Sequence, residues 1–563
     1  MSRYKWLAVL VCCAITDNVL AIVEPSSKES EISNQQLIYQ QERQKALENI
    51  LTPQSPSVRL MAPVASGDLL NFPQESICFN IQQVELLGRE DLPFTIPLSG
   101  LSHQAEGRCL GGQGINLLMT ALQNRLISYG YITTRVVAPE QDLTRGTLSL
   151  LLVKGTVRRF LYRPESDTYA NLNSAMPIKE GKLLNLRDIE QGLENLQRVP
   201  TSSAKMQLVP GNKPGESDII ITRNQSKYWR IGVSLDDSGS KETGRYQGSL
   251  TLYLDNPLAL SDTFYISGGH DINGKSAYGS KNYLFSYTVP FGYWQLSASW
   301  SGNTYHQTIA DIVKYEYRGR SKYFNAQLSR VIHRNETQKT TISYGINLRN
   351  SHNYVDDTEI EVQRRNTTNW RLGVQHRHYF DRTVLDIGAT YQKGVRWFGA
   401  DVAPEEYSNT GSALTDIIQL NLSLQVPFSY AEQHYFYLLQ YQGQMTRGNK
   451  LTPQDRFSIG SRWTVRGFDG EQILSADNGW FVRNELSWYT PYNQMLYFGL
   501  DAGEVSGASS QYLLGKRLIG STIGLRGEKF GIDYDIFAAA PIHKPKKFET
   551  DDINFGFNFN WTY

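Results

Sequence analysis

The chain has 563 residues, several times the length of an ordinary domain, and therefore predicts several folding units unless one of them is an unusually large barrel. Its 56 basic and 55 acidic residues nearly cancel, which argues against binding nucleic acid through a global positive field. Aromatic residues make up 12% of the chain and include 33 tyrosines, a composition typical of a β-rich protein.

The first 21 residues have the composition of a secretory signal peptide. Arg3 and Lys5 precede an apolar run from Trp6 to Ile15, and the small residue Ala21 ends the segment. The run is too short to cross about 30 Å of hydrocarbon as a helix. We therefore predict that residues 1–21 are cleaved and that the mature chain is exported.

A polar helix and an extended linker are predicted next. Residues 31–51 favour a helix, and Ser33 and Gln36 have the spacing of an N-terminal capping box. Few of its side chains are apolar, and such a helix needs a polar environment, either solvent or a water-filled lumen. Residues 52–73 contain four prolines, which indicate a linker.

Two small α+β modules follow, at residues 74–153 and 154–226. In the first, the strand "ICFNIQQVELLG" precedes a helical run and two further strands, "TTRVVAPEQ" and "GTLSLLLVKG". The second repeats this order with "GTVRRFLYR", a helical run, "SAKMQLVPG" and "ESDIIITRN". The shared order of elements indicates an internal repeat.

Cys78 and Cys109 are the only cysteines beyond the signal peptide. In an oxidising compartment we expect them to pair, which would stabilise the first module by roughly 3–4 kcal/mol in the chain-entropy model. They are too few for a metal site, and the compact pair His376 and His378 has no cysteine or carboxylate pattern around it. We therefore predict no metal site and no cofactor.

Residues 227–563 contain many short segments in which apolar and polar residues alternate. In "QLNLSLQVPF", residues 419–428, the leucines, Val426 and Phe428 lie on one face, and glutamine, asparagine and serine lie on the other. A soluble sandwich can also alternate in this way. Here, however, the polar face carries Gln, Asn, Ser, Thr and Gly far more than Lys or Glu, and tyrosine and tryptophan cluster at segment ends. Those features are typical of a transmembrane β-barrel with aromatic girdles and a wet lumen.

The predicted fold class is accordingly mainly β. Strands can cross hydrocarbon only as a closed cylinder, because every backbone donor and acceptor needs an internal partner there. At about 10 residues per strand plus turns and longer outer loops, this region holds roughly 16 strands, enough for an aqueous channel. The aromatic ending "NFGFNFNWTY" is similar to the signal by which outer-membrane barrels are assembled. We therefore expect the barrel to contact outer-membrane lipid and, during biogenesis, the barrel-assembly machinery.

Several motifs together carry a resemblance to a known family. In chain order they are "CFNIQQVELLG", "SLDDSGSKETGRYQGSLTLYLDNPLALSD", "YTVPFGYWQLSASWS", "VRGFDG", "DNGWFVRNEL" and "FGLDAG". The mature chain resembles the outer-membrane transporters of two-partner secretion, the TpsB family, and is most similar to their haemolysin secretion and activation branch.

The resemblance implies a domain order for the whole chain. After the signal peptide it implies a plug helix at 31–51, a linker at 52–73, POTRA 1 at 74–153, POTRA 2 at 154–226 and a 16-stranded transmembrane β-barrel at 227–563. The barrel is expected in the outer membrane of a Gram-negative bacterium, with the POTRA domains in the periplasm.

The resemblance also implies a structural site inside the barrel. The motif expected at the tip of a long extracellular loop, folded back into the lumen, consists of Val465, Arg466, Gly467 and Phe468. Its expected partner on the barrel wall is Asp501, flanked by Gly499 and Gly503, which leave room for close approach. Arginine suits this role because its rigid fork binds a carboxylate through two parallel hydrogen bonds. A solvated loop charge, worth at most about 1 kcal/mol, is the alternative, but the paired motifs favour the buried pair.

The function implied by the resemblance is transport without catalysis. The POTRA pair is expected to capture a large unfolded TpsA-type exoprotein by adding a cargo strand to a sheet edge. The plug helix is expected to leave the lumen and admit the exoprotein. The chain has no P-loop and no nucleophile elbow, and its nine histidines show no catalytic spacing, so we predict no catalytic residues and no enzyme activity.

The identity of the cargo is less constrained. The resemblance to the haemolysin branch implies that the cargo is a haemolysin that is activated during export. An adhesin or a contact-dependent inhibition toxin is the alternative cargo. A barrel-assembly insertase is disfavoured, because residues 74–226 have room for only two POTRA domains.

Overall fold

The computed structural model describes residues 27–53, 56–60, 69–274, 277–310, 314–448 and 450–563. The predicted signal peptide, residues 1–21, lies outside the described residues. The α-helices are α1 Ser27–Leu51, α2 Ser99–Ser102, α3 Gly112–Ser128, α4 Leu172–Ala175, α5 Leu186–Gln197 and α6 Pro404–Tyr407. Within the described part of the chain, none of these helices combines the length and the apolar character that crossing a membrane requires.

The first α+β module packs α2 and α3 against short strands. Its strands are β1 Phe79–Ile81, β2 Gln83–Leu87, β3 Arg108–Leu110, β4 Arg135–Val137 and β5 Thr147–Val153. Strand β5 lies in the centre of a three-stranded sheet, parallel to β2 and antiparallel to β4. The apolar stripe of α3, with Leu118, Leu122 and Leu126 fully buried, covers this sheet and forms one compact core.

The second module repeats this arrangement with longer strands. They are β6 Thr156–Tyr162, β7 Ser202–Pro210 and β8 Glu216–Gln225, in the sheet order β6-β8-β7. Helix α5 covers the sheet with Ile189, Leu193 and Leu196. Strand β7 therefore lies at an edge of its sheet, and no other strand of the described residues pairs with its outer side.

The carboxy-terminal region is a closed antiparallel barrel. Within the described residues it has sixteen long strands: β9 Trp229–Asp236, β10 Gln247–Asp255, β11 Thr263–Asp271, β12 Tyr278–Phe291, β13 Trp294–Ala310, β14 Lys314–Arg334, β15 Gln338–Val355, β17 Arg365–Phe380, β18 Thr383–Val395, β19 Asp416–Tyr430, β20 Gln433–Thr446, β23 Asn478–Tyr489, β24 Gln494–Ser506, β25 Arg517–Lys529, β26 Ile532–His543 and β27 Asn554–Thr562. The two-residue strand β16, Thr358–Glu359, extends the β15 edge. Pairing of β27 with β9 closes the cylinder, so the predicted 16-stranded fold is confirmed.

Side chains alternate between the two faces of the barrel wall. On β10, Leu250 and Leu252 are exposed on the outside, whereas Thr251 and Tyr253 are buried on the inside. The exposed leucines suit lipid, and the inward polar groups suit a wet lumen. The alternation that predicted the strands thus follows from the two solvents that the wall separates.

Helix α1 lies inside the barrel, and it begins earlier than predicted. Ser33 and Gln36 are both within the helix, so the interpretation of Ser33 as an N-terminal cap is wrong. Residues 27–32 contain neither glycine nor proline, so the chain has no local reason to interrupt the helix there. A capping-box pattern of sequence is compatible with a helix interior when the preceding residues also favour helix.

The second module contacts the periplasmic turns of the barrel through α5 and its flanking loop. Asn195 Nδ2 donates to the carbonyl oxygen of Gly292 at 2.8 Å, and Tyr293 Oη donates to Asp188 Oδ1 at 2.6 Å. Burial raises the pKa of the Asp188 carboxyl, although the hydrogen bond from Tyr293 favours its charged form. These contacts fix the module at the rim of the pore.

Cys78 and Cys109 form a disulfide between the segment before β1 and strand β3. It closes a loop with a sequence separation of 31 residues, just before α3. Replacing both cysteines by serine is expected to lower the free energy of opening of the first module by about 3–4 kcal/mol in the chain-entropy model.

Hydrogen exchange of the α3 amides in the full-length protein measures this effect, and faster exchange is the expected result. Amides of α5, in the second module, serve as the internal control and are expected to keep their protection. Unchanged α3 exchange would show that the disulfide contributes nothing to the stability of the module.

Candidate functional site

The loop between β20 and β23 folds back into the barrel. Its two short strands, β21 Phe457–Ile459 and β22 Leu474–Ala476, pair with each other and form the stem of a hairpin. The tip beyond this stem carries Val465, Arg466, Gly467 and Phe468, all of which are buried. A tip of this length is buried here because the barrel wall supplies partners for its polar groups.

Arg466 binds Asp501 through two parallel hydrogen bonds. Its Nε donates to Asp501 Oδ2 at 2.6 Å and its Nη2 donates to Asp501 Oδ1 at 2.9 Å. The backbone N–H of Arg466 also donates to Asp501 Oδ2, at 3.1 Å. Arg466 is 5% exposed and Asp501 is fully buried, so neither charge is screened by bulk water.

Glu485 and Arg526 extend this pair into a network, and the sequence analysis did not single out either residue. Arg466 Nη1 donates to Glu485 Oε2 at 2.5 Å, and Arg526 Nη1 donates to Glu485 Oε1 at 2.5 Å. Arg526 Nε also donates to Asp535 Oδ2 at 2.9 Å. Glu485 lies within the quoted motif "DNGWFVRNEL", so its place in a family motif was the available signal.

The charges of the network balance. Arg483 lies near Asp501, with 3.8 Å between Arg483 Nε and Asp501 Oδ2, and its Nη1 donates to the carbonyl oxygen of Trp463 at 3.2 Å. The cluster therefore contains three guanidinium groups and three carboxylates, and each charge lies close to an opposite one. The three cations are Arg466, Arg483 and Arg526, and the three anions are Glu485, Asp501 and Asp535.

Glycines allow the loop tip to approach the wall. A Cβ atom at Gly499 would lie 2.4 Å from Arg466 Nη2, and one at Gly503 would lie 2.9 Å from Val465 Cγ2. Gly520, which the sequence analysis did not identify, is more restrictive, because a Cβ there would lie 1.9 Å from the carbonyl oxygen of Arg466. Gly467 itself has a φ of 115°, a conformation that residues with a side chain rarely adopt.

Apolar side chains on either side of Arg466 fix the tip. Val465 and Phe468 join Leu518 of the wall in a buried cluster, and the ring of Phe468 packs edge-on against Phe548, with 5.7 Å between ring centroids. This packing helps to keep the pair of Arg466 and Asp501 away from solvent. Ionic and apolar contacts therefore hold the same few residues in place.

Helix α1 contacts this returning loop directly. Glu42 accepts hydrogen bonds from the hydroxyls of Ser458 and Ser461, the latter at 2.6 Å. The rings of Tyr39 and Trp463 pack with 5.3 Å between centroids. The tip is thus held between the barrel wall and the helix.

Helix α1 also binds the first barrel strands. Tyr39 Oη donates to the carbonyl oxygen of Ser238, and Arg43 Nε donates to Ser238 Oγ, both at 3.0 Å. Near its carboxyl end, a cavity of about 290 Å³, lined by Glu48 and Tyr265 among others, remains beside the wall. The helix contacts the lumen wall through these hydrogen bonds and, near its carboxyl end, through apolar packing of Leu47 and Leu51.

The pair His376 and His378 lies on β17 with 6.1 Å between ring centroids, and His376 Nδ1 is 2.9 Å from the hydroxyl of Thr340. Among the residues that the structure describes, no group of three or more His, Cys, Asp or Glu side chains is arranged to hold a metal ion.

Two α+β modules joined to a closed 16-stranded barrel, with a helix in the lumen and a returning loop tip, define an outer-membrane β-barrel protein with periplasmic POTRA domains. The family described as "Haemolysin secretion/activation protein ShlB/FhaC/HecB" matches residues 215–527, more than half of the chain. An ShlB-type POTRA domain matches residues 79–155, and a further POTRA domain matches residues 157–210. The chain belongs to this family of two-partner secretion transporters, and it is a TpsB-type outer-membrane transporter of a TpsA-type exoprotein rather than an enzyme.

Curated relatives and solved structures are similar to this chain over most of its length. Outer membrane transporter CdiB-2 of Burkholderia pseudomallei is 34% identical over 92% of this chain and 92% of its own length. The hemolysin transporter protein ShlB of Serratia marcescens is 28% identical over 76% of this chain and 75% of its own. The structure of CdiB from Escherichia coli is 26% identical and superposes with a TM-score of 0.84, covering 94% of this chain and 99% of the other.

Proposed function

We propose that the chain exports a contact-dependent inhibition toxin, a large exoprotein that leaves the periplasm unfolded through the barrel. The observation that carries this choice is the similarity to CdiB-2, which is both higher and more extensive than the similarity to ShlB. It favours the alternative cargo of the sequence analysis over the haemolysin. Export of an exoprotein is common to both candidates.

A haemolysin is the second candidate. It is supported by the family description and by the 28% identity to a hemolysin transporter over three quarters of the chain. An adhesin has no comparable observation in its favour. Because the barrel and the returning loop serve export of any of these cargoes, the cargo has to be determined from the secreted product.

The plug helix, loop tip and barrel form the proposed conduit. We infer that α1 closes the lumen at rest and leaves it during export, since its contacts with Ser238, Ser458 and Ser461 are hydrogen bonds that solvent can replace. The arginine network keeps the loop tip on the wall, so that the lumen has a defined shape when the helix is absent. We also propose the domain bounds given in the sequence analysis. These are the plug helix at 31–51, the linker at 52–73, POTRA 1 at 74–153, POTRA 2 at 154–226 and the barrel at 227–563.

Two further partners are part of the proposal. Leu250 and Phe555 are examples of the apolar side chains exposed on the outer face of the barrel, where we expect outer-membrane lipid. Strand β27 ends the chain with outward aromatic side chains, and we expect the barrel-assembly machinery to recognise it during insertion. We also propose that residues 1–21 are removed during export.

Deletion of the gene tests the function and separates the candidates. We expect the amount of exoprotein at the cell surface to fall at least tenfold when the transporter is absent. Complementation is expected to restore it. Loss of growth inhibition of neighbouring target cells in co-culture is the result expected for a contact-dependent inhibition toxin. Loss of erythrocyte lysis with unchanged co-culture competition would instead identify a haemolysin. Unchanged surface exoprotein in the deletion strain would overturn the transport assignment.

A further inference from the structure

A short stretch of the linker lies across helix α5 of the second POTRA domain, at the periplasmic rim of the barrel. The backbone N–H of Val58 donates to Glu194 Oε1 at 3.1 Å, and the backbone N–H of Leu60 donates to Glu190 Oε1 at 2.7 Å. Two carboxylates one helical turn apart thus bind alternate main-chain donors of an extended segment. We call residues 57–60 the strap.

The side chains of the strap also alternate. Val58 and Leu60 pack against the apolar core of the second POTRA domain, whereas Ser57 and Arg59 are exposed. The Arg59 guanidinium lies over the ring of Tyr379 at 4.2 Å from its centroid. An extended chain with apolar side chains at positions i and i+2 therefore fits this surface.

The barrel completes the site from the other side. Arg334, the last residue of β14, donates through Nη2 to the carbonyl oxygen of Val58 at 2.6 Å and to Glu194 Oε1 at 2.9 Å. Its Nε donates to Glu190 Oε2 at 3.1 Å, and Lys339 Nζ donates to Glu194 Oε2 at 2.6 Å. Arg187 Nη1 also donates to Glu190 Oε1, so every oxygen of the two carboxylates is in an ion pair, and Oε1 of each accepts a main-chain N–H of the strap as well.

Burial is nearly complete at these charges. Glu190 and Glu194 are at most 3% exposed. Burial raises the pKa of the Glu194 carboxyl, but the hydrogen bonds from Arg334 and the charge of Lys339 outweigh this and leave the pKa below its usual value. The carboxylate is therefore ionised at neutral pH and remains an acceptor.

We propose that Glu190, Glu194 and Arg334 form a binding site for an extended segment of the secreted polypeptide, and that the strap occupies this site until cargo displaces it. The site contacts two main-chain N–H groups, one main-chain carbonyl and two apolar side chains. Any unfolded segment with apolar residues at positions i and i+2 offers the same groups, so recognition needs this pattern but no specific sequence. The inference rests on the proposed capture of unfolded cargo by the POTRA pair.

The position of the site couples capture to opening of the pore. The strap follows α1 in the chain, with only residues 52–56 between them. Displacing the strap removes one of the attachments of the carboxyl end of α1, beside the contact of Thr52 with Tyr265 and the packing of Leu51. A cargo segment bound in its place lies beside the β14–β15 turn, next to the entrance of the lumen.

Peptide binding to the full-length transporter in detergent tests the proposal without any exoprotein. The probe is a fluorescent peptide of residues 53–63, and a second peptide carries N-methyl groups at the nitrogens of residues 58 and 60. The strap variant is Val58→Asp with Leu60→Asp, which removes the apolar contacts of the strap. Leu69→Asp is the matched control, because Leu69 is in the same linker but is 81% exposed.

We expect the strap variant to bind the unmodified peptide at least tenfold more tightly than either the wild type or the Leu69→Asp control. The methylated peptide is expected to bind the strap variant at least tenfold more weakly than the unmodified one, because it lacks both donors. Glu190→Gln with Glu194→Gln in the strap background is expected to reduce affinity for the unmodified peptide as well.

Equal affinity of the wild type and the strap variant, or of the two peptides, overturns the proposal and leaves the strap as a structural tether. The comparison of the two peptides uses one protein variant and is therefore independent of any effect of substitution on folding. The proposed cargo is tested separately, by the secreted product in the deletion strain. A different cargo would leave these peptide affinities unchanged.

Discussion

Replacing Arg466 with alanine is expected to reduce export of the exoprotein at least tenfold while the barrel remains in the outer membrane. The change removes the two parallel hydrogen bonds to Asp501 and the contact with Glu485, and it leaves both carboxylates buried. Breaking a buried ion pair by removing one partner costs about 3–5 kcal/mol, of which the remaining contacts of Asp501 with Arg483 and of Glu485 with Arg526 offset a part. The loop tip then leaves the wall, and the lumen loses its defined shape. Arg466→Lys is expected to be nearly as severe, because lysine cannot bind both oxygens of Asp501 in parallel.

Surface exoprotein measures export, and the heat-modifiable migration of the barrel in a semi-native gel measures its folding. Arg517→Ala is the matched control. Arg517 is the first residue of β25 and pairs with Glu504, and its side chain is 59% exposed. A pair of that kind contributes at most about 1 kcal/mol, and export is expected to persist. Export at the wild-type level from a folded Arg466→Ala barrel would show that the network is dispensable.

The pair at the loop tip was predictable from motifs, whereas the network around it was not. Arg466 and Asp501 occur in two recognisable motifs, "VRGFDG" and "FGLDAG". Alternation on β23 places Glu485 on the inner face, but its contact with Arg526 also needs the curvature and register of three strands. Arg526 lies on β25, two strands away from Glu485, and is opposite Met495 in the ladder. Register between strands is a tertiary property that local periodicity does not contain.

The surroundings of helix α1 could also not be predicted from local sequence alone. Its polar composition left solvent and a water-filled lumen as equal alternatives for its surroundings, and the structure places it in the lumen. There all five residues from 36 to 40, more than one full helical turn, are buried, and Tyr39 and Arg43 bind Ser238. A helix that must fill a polar bore and also leave it needs a mostly polar surface, so the scarcity of apolar side chains was the relevant pattern.

The linker sequence contains pairs of apolar residues that the prediction of a plain linker did not use. Four prolines predict a linker over residues 52–73, of which the structure describes 52–53, 56–60 and 69–73. Within it, Val58 and Leu60 are separated by one polar residue, and so are Leu70 and Phe72. These two pairs pack against the cores of the second and the first module, respectively. Extended segments that add apolar side chains to a neighbouring core are part of the fold rather than spacers between domains.

Deleting residues 27–51 while retaining the signal peptide is expected to raise channel conductance in planar bilayers severalfold. An α-helix with its side chains is about 10–12 Å across, so its removal opens a continuous aqueous path of similar width. Because the deletion leaves the arginine network intact, the open lumen is expected to keep a defined conductance rather than a broad distribution. Unchanged conductance of the deletion variant would contradict the assignment of α1 as the plug.

Glu42→Ala provides a graded version of this experiment. It keeps the helix but removes the acceptor for Ser458 and Ser461, so the helix is expected to leave more often and brief openings to become more frequent. Asn49→Ala is the matched control, since Asn49 is an exposed residue of the same helix and its replacement is expected to leave opening frequency unchanged. If both substitutions changed opening equally, the contact between helix and loop would not hold the plug. If only Glu42→Ala changed it, the loop tip would act on the plug as well as on the wall, and one element would then control both the shape of the lumen and its access.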